Sequence, residues 1–469
     1  MDCEYSFGID KKVDGKLCSS ELEQESIMKY FSNLDSIRSH PLPKWYDDCK
    51  LGIFIHWGLY SIPAFAPKSG QLGTIELDER WFANNPYAEW YYNSVKIGHG
   101  PSYDYHVKTY GKDFAYENFA DLWKAEHFDP QRWAELFKKA GAGYVVLTTK
   151  HHDGFCLWPS EYTDYNAAKR GPGRDLFGEL TAAVREEGLH MGAYYSGIID
   201  WLYTKRPVTC GYECDYPDNV SYAYSDYAYN QVMELIDRYE PSVLWNDIGW
   251  PVKGYTDLPY LISYYYNRVP EGVISDRWMV NKDDFWYDFS TKEYQMGAAR
   301  VDKKWEMTRG LGLSFGYNQT EGEDDCIGKE ELIRLLVDTV AHNGNLLLNI
   351  GPKADGTIPK VQEERLLSLG AWLKRNGEGI YGTRPYCIQQ LQAKGGEQLY
   401  FTQKGDTVYL FVATPKDGKN GICMENIFAT SPKLSDLQGN AIPCELEEGQ
   451  MRFTVNAKGT APIAVRVQI

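Results

Sequence analysis

The chain has 469 residues, long for one domain, so a large domain with a smaller partner is the natural reading. Hydrophobic residues make up 43% and charged residues 24%, which excludes a disordered chain, and a net charge of −16 argues against a nucleic-acid backbone or an anionic membrane as partner. No stretch approaches the roughly 18 apolar residues of a membrane span.

Met1-Asp2-Cys3-Glu4-Tyr5-Ser6-Phe7 has no basic segment followed by an apolar run, so no secretory signal is expected. Ten cysteines are scattered without a CxxC pair. Cys210 and Cys214, in a polar Tyr-rich loop, are the closest spaced and too weak a pattern for zinc. Free thiols in a reducing cytoplasm are the economical expectation. The compositional outlier is aromatic: 14 Trp, 36 Tyr and 18 Phe. Such rings usually fill core, and near polar strand ends they also suit stacking on sugar faces.

In chain order, residues from about 20 to 45 read as a helical lead-in ending at Pro41-Leu42-Pro43. Leu51-Gly52-Ile53-Phe54-Ile55-His56-Trp57-Gly58 is a buried strand with polar punctuation at its end. Residues 61–120 form a long aromatic insertion that contains Pro86-Tyr87-Ala88-Glu89-Trp90-Tyr91-Tyr92. A loop of that length is either functional or misassigned. Asp129-Pro130 opens a helix running to Ala140-Gly141, with the Asp as cap and the Pro at the first helical position. Gly143 to Thr149 is a strand that ends in Lys150-His151-His152-Asp153-Gly154. A helix spans 175–187 and stops at Gly188. Strand 189–195 follows, then helix 225–239. Pro241-Ser242-Val243-Leu244-Trp245-Asn246-Asp247-Ile248-Gly249-Trp250-Pro251 begins as a short apolar strand and stops at an acid. Helix 256–267, strand 273–278, helix 329–342, strand 344–351 and helix 360–374 complete the series.

Alternating helices and mostly apolar strands argue for a parallel sheet. Six strands are distinct, and the irregular residues 279–312 have room for the missing ones. The pattern predicts an α/β fold, a (β/α)8-like TIM-type barrel that need not be perfect. A doubly wound open sheet is the alternative, but no GxGxxG opens any helix. From about residue 384, short alternating segments at 398–402, 407–412, 451–455 and 462–467 predict a β-sandwich. It lacks a cluster of exposed aromatics, so packing against the barrel is expected. The domains expected are 1–380, the catalytic barrel with its lead-in, and 381–469, the sandwich.

The strand ends carry His56, His151, His152, Tyr194, Trp245, Asp247 and Arg277. An Asp before Ile-Gly commonly caps a turn, and a lone His is more often structural than functional. Their shared placement is the signal, because barrel active sites are built from the carboxyl ends of strands. Metal hydrolysis fits poorly: adjacent His151 and His152 on an extended chain point to opposite sides, and there is no HxH or HExxH. The one G-x-S-x-G match, Gly312-Leu313-Ser314-Phe315-Gly316, does not open a helical pattern, so it makes no elbow for a serine nucleophile. Carboxylate glycosidase chemistry, with one ionised and one protonated acid, fits best. A non-catalytic sugar-binding barrel is the competing class.

The sequence resembles the α-L-fucosidases of glycoside hydrolase family 29, over nearly the whole chain and in particular their bacterial intracellular type. The resemblance rests on Gly52-Ile53-Phe54-Ile55-His56-Trp57-Gly58, Pro86-Tyr87-Ala88-Glu89-Trp90-Tyr91, Thr149-Lys150-His151-His152-Asp153-Gly154-Phe155-Cys156-Leu157-Trp158, Leu244-Trp245-Asn246-Asp247-Ile248-Gly249-Trp250-Pro251 and Trp305-Glu306-Met307-Thr308-Arg309-Gly310-Leu311-Gly312. It implies an imperfect barrel followed by a carboxyl-terminal β-sandwich. It also implies retaining exo-hydrolysis of terminal α-L-fucosyl residues from oligosaccharides and glycoconjugates through a covalent fucosyl-enzyme. Asp247 matches the nucleophile. His56, Glu89, Trp90, His151, His152, Tyr194, Trp245 and Arg277 match residues lining the fucose pocket. The family does not keep its acid/base at one sequence position: Glu293 matches the site used by the closest bacterial relatives, and Glu306 is the rival. No cofactor and no metal are implied. The partner implied is a fucosylated oligosaccharide, with no nucleic acid and no membrane. Close relatives form homo-oligomers, which no residue pattern here shows.

Overall fold

Short buried apolar runs set the frame. In the computed structural model, which describes residues 28–70, 77–217, 221–294, 302–428 and 431–469, eight strands share one parallel sheet. They are β1 (Leu51–Ile55), β2 (Tyr144–Lys150), β3 (His190–Ser196), β4 (Val243–Asp247), β5 (Val273–Ile274), β6 (Ser290–Glu293), β7 (Trp305–Gly310) and β8 (Gly344–Ile350). Their order is β5-β4-β3-β2-β1-β8-β7-β6. β1, β2, β4 and β8 are buried along their whole length, which is why they read as continuous rather than alternating apolar runs.

β5 and β6 are the two ends of the sheet, and it curls until they meet. A single parallel bridge between Ser275 and Phe289 joins them. The result is the expected (β/α)8-like barrel with one thin seam. Sequence explains the seam: β5 holds two residues and β6 is the polar run Ser-Thr-Lys-Glu. Among the described residues, only the 3-10 turn Lys282–Asp284 lies between them, where a regular unit would place a helix. The strand expected over 273–278 is therefore shorter, and residues 279–312 supply the two strands missing from the pattern, β6 and β7.

The helices start and stop where their caps dictate. Asp129 accepts from the Arg132 N–H ahead of helix Pro130–Ala140, and Gly141 ends it in the left-handed conformation. Asp175 caps helix Leu176–Glu186 in the same way. Of the lead-in, helix Leu34–Arg38 is seen; residues 1–27 lie outside the described residues. The insertion at 61–120 is not one long loop. It carries helices Glu79–Ala83, Tyr91–Ile97 and Pro101–Tyr110, and it seats Glu89 and Trp90 in a 3-10 turn.

The carboxyl-terminal region folds into a six-stranded and a three-stranded antiparallel sheet beginning at Arg384. Leu399, Phe401, Leu410, Ile422, Met451, Phe453 and Val465 fill its core. It is fastened to the barrel's last helix: Trp372 Nε1 donates to the Pro462 carbonyl at 2.8 Å, and the Arg466 guanidinium pairs with Glu378 at 2.7 Å. No helix among the described residues is long and apolar enough to cross a membrane.

Gly52 marks a tight point of the barrel floor, where a Cβ would lie 2.4–2.6 Å from the Tyr144 ring. Gly52→Ala is expected to cost about 1–3 kcal/mol, because that ring has no free direction to move. The measurement is the thermal midpoint against Gly421→Ala, whose added methyl meets nothing within 4 Å. Equal midpoints for the two variants would show that the floor yields.

Candidate active site

At the carboxyl ends of the strands lies a cavity of about 350 Å³. That is the size range of small-ligand pockets. It is lined by His56 after β1, His151 and His152 after β2, Tyr194 on β3, Trp245 and Asp247 on β4, Arg277 after β5 and Glu293 on β6. Glu89 and Trp90 come from the 61–120 insertion and complete one wall. Every residue named from the sequence as nucleophile or sugar contact, and Glu293 with them, is thus brought to one pocket.

Asp247 ends β4 and is nearly buried. Its Oδ2 accepts from the Tyr194 hydroxyl at 2.7 Å, and its Oδ1 accepts from the Ile248 N–H at 2.9 Å and from Arg277 Nη1 at 2.8 Å. Burial alone would raise the Asp247 carboxyl, but the charge of Arg277 and these donors hold it below the usual carboxylate value. Ile248 adopts φ +61°, a left-handed conformation that a β-branched residue reaches only under strain, about 1–3 kcal/mol. The turn that aims the carboxylate is therefore held by its surroundings.

The other arm of Arg277, Nη2, sits 2.5 Å from Glu293 Oε1. One guanidinium thus holds both carboxylates. Its Nε donates to Thr291 Oγ1 at 2.8 Å, and Thr291 donates on to Asp276 Oδ1 at 2.7 Å. Its planar face lies 4.8 Å over the Trp245 ring. Burial would disfavour the cation, but Glu293 and Asp247 keep it firmly protonated.

Two of the histidines have their tautomers set by partners whose own donors are already used. Asn349 gives its amide N–H to the Phe315 carbonyl, so its oxygen must accept from His56 Nδ1, at 2.7 Å. Ser196 donates to the Ile199 carbonyl and so accepts from His152 Nδ1 at 2.6 Å. Each ring is left with Nε2 as an acceptor. Burial lowers His56 to about 3 and His152 to about 4, and pushes His151 far down as well, so all three are neutral at physiological pH. Glu89 is buried, pushed up to about 7 by that burial, and accepts from the Gly316 N–H at 2.8 Å.

His151 and His152 correct one expectation. They do not point to opposite sides, because β2 ends at Lys150 and the two sit in a turn with ring centroids 4.1 Å apart. The turn is anchored below by a buried ion pair, Lys150 to Asp200 at 3.0 Å. Among the described residues no group of three His, Cys, Asp or Glu side chains is placed to hold a metal ion.

Glu306 lies elsewhere. It is fully buried in the barrel interior, accepts from Tyr46 OH at 2.8 Å, Tyr144 OH at 2.5 Å and Trp245 Nε1 at 2.9 Å, and does not line the cavity. It supports Trp245 from beneath. Phe54, Tyr87, Phe315, Ile248, Cys214 and Asp215 also line the cavity and were not assigned to the site from sequence. The signal for Phe315 was its place in the chain just beyond β7. Cys214 and Asp215 gave none.

A parallel barrel that mounts two carboxylates on one arginine, inside a pocket walled by rings and neutral histidines, is the architecture of a glycoside hydrolase. Residues 17–378 match the family model for alpha-L-fucosidase, and the chain belongs to that family. The alpha-L-fucosidase of Dictyostelium discoideum is 35% identical over 462 residues, covering 92% of each chain. The Thermotoga maritima α-L-fucosynthase, solved in complex with α-L-Fuc-(1-2)-β-L-Fuc-N3, superposes with a TM-score of 0.88 at 47% identity, covering 94% of this chain and all of that one. The Thermotoga maritima α-fucosidase in complex with fucose gives 0.86 at 47% identity, covering 93% and 100%.

Glu306 gives a pH-dependent test. Burial raises it from 4.5 to about 7, so the folded protein binds an extra proton between those values. Its contribution is full below about pH 4.5 and is lost as pH rises through about 7. Glu306→Gln cannot titrate and is expected to gain on the unmodified protein by on the order of 3 kcal/mol across that window. Urea unfolding of both at each end of the window measures this, and a constant gap would contradict it.

Proposed function

We propose that the protein hydrolyses terminal α-L-fucosyl residues with retention of anomeric configuration, by double displacement. Asp247 is the nucleophile and Glu293 the acid/base. The observation that carries the reading is the shared guanidinium: Arg277 contacts Asp247 and Glu293 at once. That keeps the carboxylates close, in keeping with the roughly 5–5.5 Å of retaining enzymes rather than the wider gap needed to seat an inverting water.

In the first step the Asp247 carboxylate forms a bond to the anomeric carbon. The bond to the leaving oxygen breaks, and that oxygen takes the proton carried by Glu293, which enters this step as the neutral acid after taking a proton from solvent. Asp247 is then an uncharged ester, and Arg277 keeps Glu293 as its anionic partner. In the second step Glu293 accepts a proton from water as the water oxygen attacks the anomeric carbon, and Asp247 leaves as carboxylate.

The neutral acceptors at His56 and His152 and the buried Glu89 suit the reading of sugar hydroxyls. His151, Tyr194, Trp245, Arg277 and Trp90 shape the rest of the pocket. Phe54, Tyr87, Trp90 and Phe315 add apolar wall, suited to the C5 methyl that distinguishes fucose from hexoses with a hydroxymethyl group. Fucosylated oligosaccharides are the substrate class.

Asp247→Gly is expected to abolish turnover of aryl fucosides and to be partly rescued by azide, with the β-configured fucosyl azide as product. Glu293→Ala is expected to slow natural glycosides more than activated aryl fucosides, whose leaving groups need little protonation. Rates and anomeric products followed by NMR decide both. If Glu306→Ala shows the leaving-group pattern and Glu293→Ala does not, the acid/base assignment falls.

A further inference from the structure

Above the pocket runs the short helix Gly211–Asp215, in the connection between β3 and β4. Gly211, Cys214 and Asp215 face the cavity and line it, beside Leu77, whose carbonyl accepts from the Gly211 N–H at 3.2 Å. Tyr212 follows Gly211 on this helix, and Tyr216 is the residue just past its end, where it also borders a small separate hollow with Glu213 and Val208. The two tyrosine rings form a pair with centroids 4.9 Å apart. Both are left to solvent: Tyr212 is 69% and Tyr216 46% exposed. Exposing two large rings side by side leaves apolar area in water, and such area next to a ligand pocket marks a contact surface.

The second observation is Asp215. The residue lines the cavity, and its carboxylate accepts no hydrogen bond and forms no ion pair among the described residues and is raised by partial burial alone. The rings are tilted 32° against each other, so the pair offers an outer ring face, and an exposed ring face beside an unpaired acceptor is what a pyranose needs, since its apolar face stacks and its hydroxyls donate. The deep cavity, with Asp247 and Glu293 at its base, takes the terminal sugar. The next sugar of the chain must then leave through the mouth, where this helix lies.

We infer that Tyr212, Tyr216 and Asp215 form the aglycone subsite, the place where the sugar carrying the fucose is held. This rests on the fucosidase reading above. One ring of the pair stacks on the face of that sugar with the other holding it in place, and Asp215 accepts from one of its hydroxyls. These residues act on substrate choice and do not take part in bond breaking.

The test compares two substrates with the same glycone: fucosyllactose, which has an aglycone sugar, and α-L-fucosyl fluoride, which has none. Tyr212→Ala/Tyr216→Ala is expected to lower kcat/KM on fucosyllactose about tenfold, mostly through KM, as the loss of one stacked ring contact implies. The same variant should keep its rate on fucosyl fluoride within about twofold, which also shows that it folds. Tyr212→Phe/Tyr216→Phe keeps the rings and should restore the oligosaccharide KM. Asp215→Asn should weaken fucosyllactose alone. If the unmodified protein turns over neither substrate, the fucosidase reading fails and the subsite with it. If it turns over both, and the alanine variant slows both equally or neither, the subsite is refuted while the fucosidase reading stands. A change in sedimentation mass without a change in KM would also refute it, by making the rings a contact between copies.

Discussion

The Arg277 guanidinium is gripped by Asp247 on one side and Glu293 on the other, and the closure of the barrel runs through the same group. Between β5 and β6 the backbone offers a single bridge. Beside it the Asp288 N–H donates to the Ile274 carbonyl at 3.1 Å and the Ile274 N–H to Asp288 Oδ2 at 2.8 Å, and side chains add Arg277 to Thr291, Thr291 to Asp276, and Arg277 to Glu293. Lys282 steadies Asp276 at 2.7 Å. Buried charges are stable only when their neighbours supply what water would have supplied. Here two carboxyl groups share one cation, and Tyr194 and the Ile248 N–H take the remaining load on Asp247. A change at Arg277 therefore strikes the chemistry and the barrel's weakest join together.

Beneath that layer the interior is also polar, but differently built. Glu306 gathers three donors from Tyr46, Tyr144 and Trp245 and faces no solvent. Its role passes upward through Trp245, whose ring carries Arg277 on its face. The order from the floor is Glu306, then Trp245, then Arg277, then the two carboxylates. Each member fixes the orientation of the next, so that the reacting groups wait in position rather than being recruited.

The sequence located the strand ends because β1 to β4 are apolar runs that stop abruptly at His, Asp or Tyr. Arg277 was found in the same way, although β5 itself proved too short to carry it. The seam strands were harder, since Ser290–Glu293 has no apolar run to mark it. The choice between Glu293 and Glu306 shows what pattern alone lacks. In the sheet register Thr291 pairs with Glu306, and Glu293 pairs with Thr308. The two glutamates share inward parity, but Glu306 lies two residues lower, about 6–7 Å deeper in the barrel. Alternation reveals which face a side chain takes and says nothing of depth along the axis. The insertion at 61–120 was opaque for a related reason: its short helices are held by packing on the pocket wall rather than by their own periodicity. Asp215 and the Tyr212–Tyr216 pair sit in a connection whose sequence has no period at all.

At the base of the pocket charge is gathered on one line, Asp247–Arg277–Glu293, and the histidines beside it are kept neutral by burial. Protonated histidine beside Asp247 would stabilise its carboxylate and blunt its attack on carbon. Desolvation prevents that by lowering His152 to about 4 and His56 to about 3. The hydrogen bonds from Nδ1 of these rings then decide the tautomer, leaving Nε2 to accept from a hydroxyl. The dense packing of rings around the site, Trp90 and Trp201 against His152 and Tyr194 against His151, is what removes the water. The aromatic excess of the composition thus has an electrostatic consequence. It lets histidines serve as uncharged readers of an uncharged sugar, and it leaves Arg277 as the one cation on the nucleophile, beside the neutral donors Tyr194 and the Ile248 N–H.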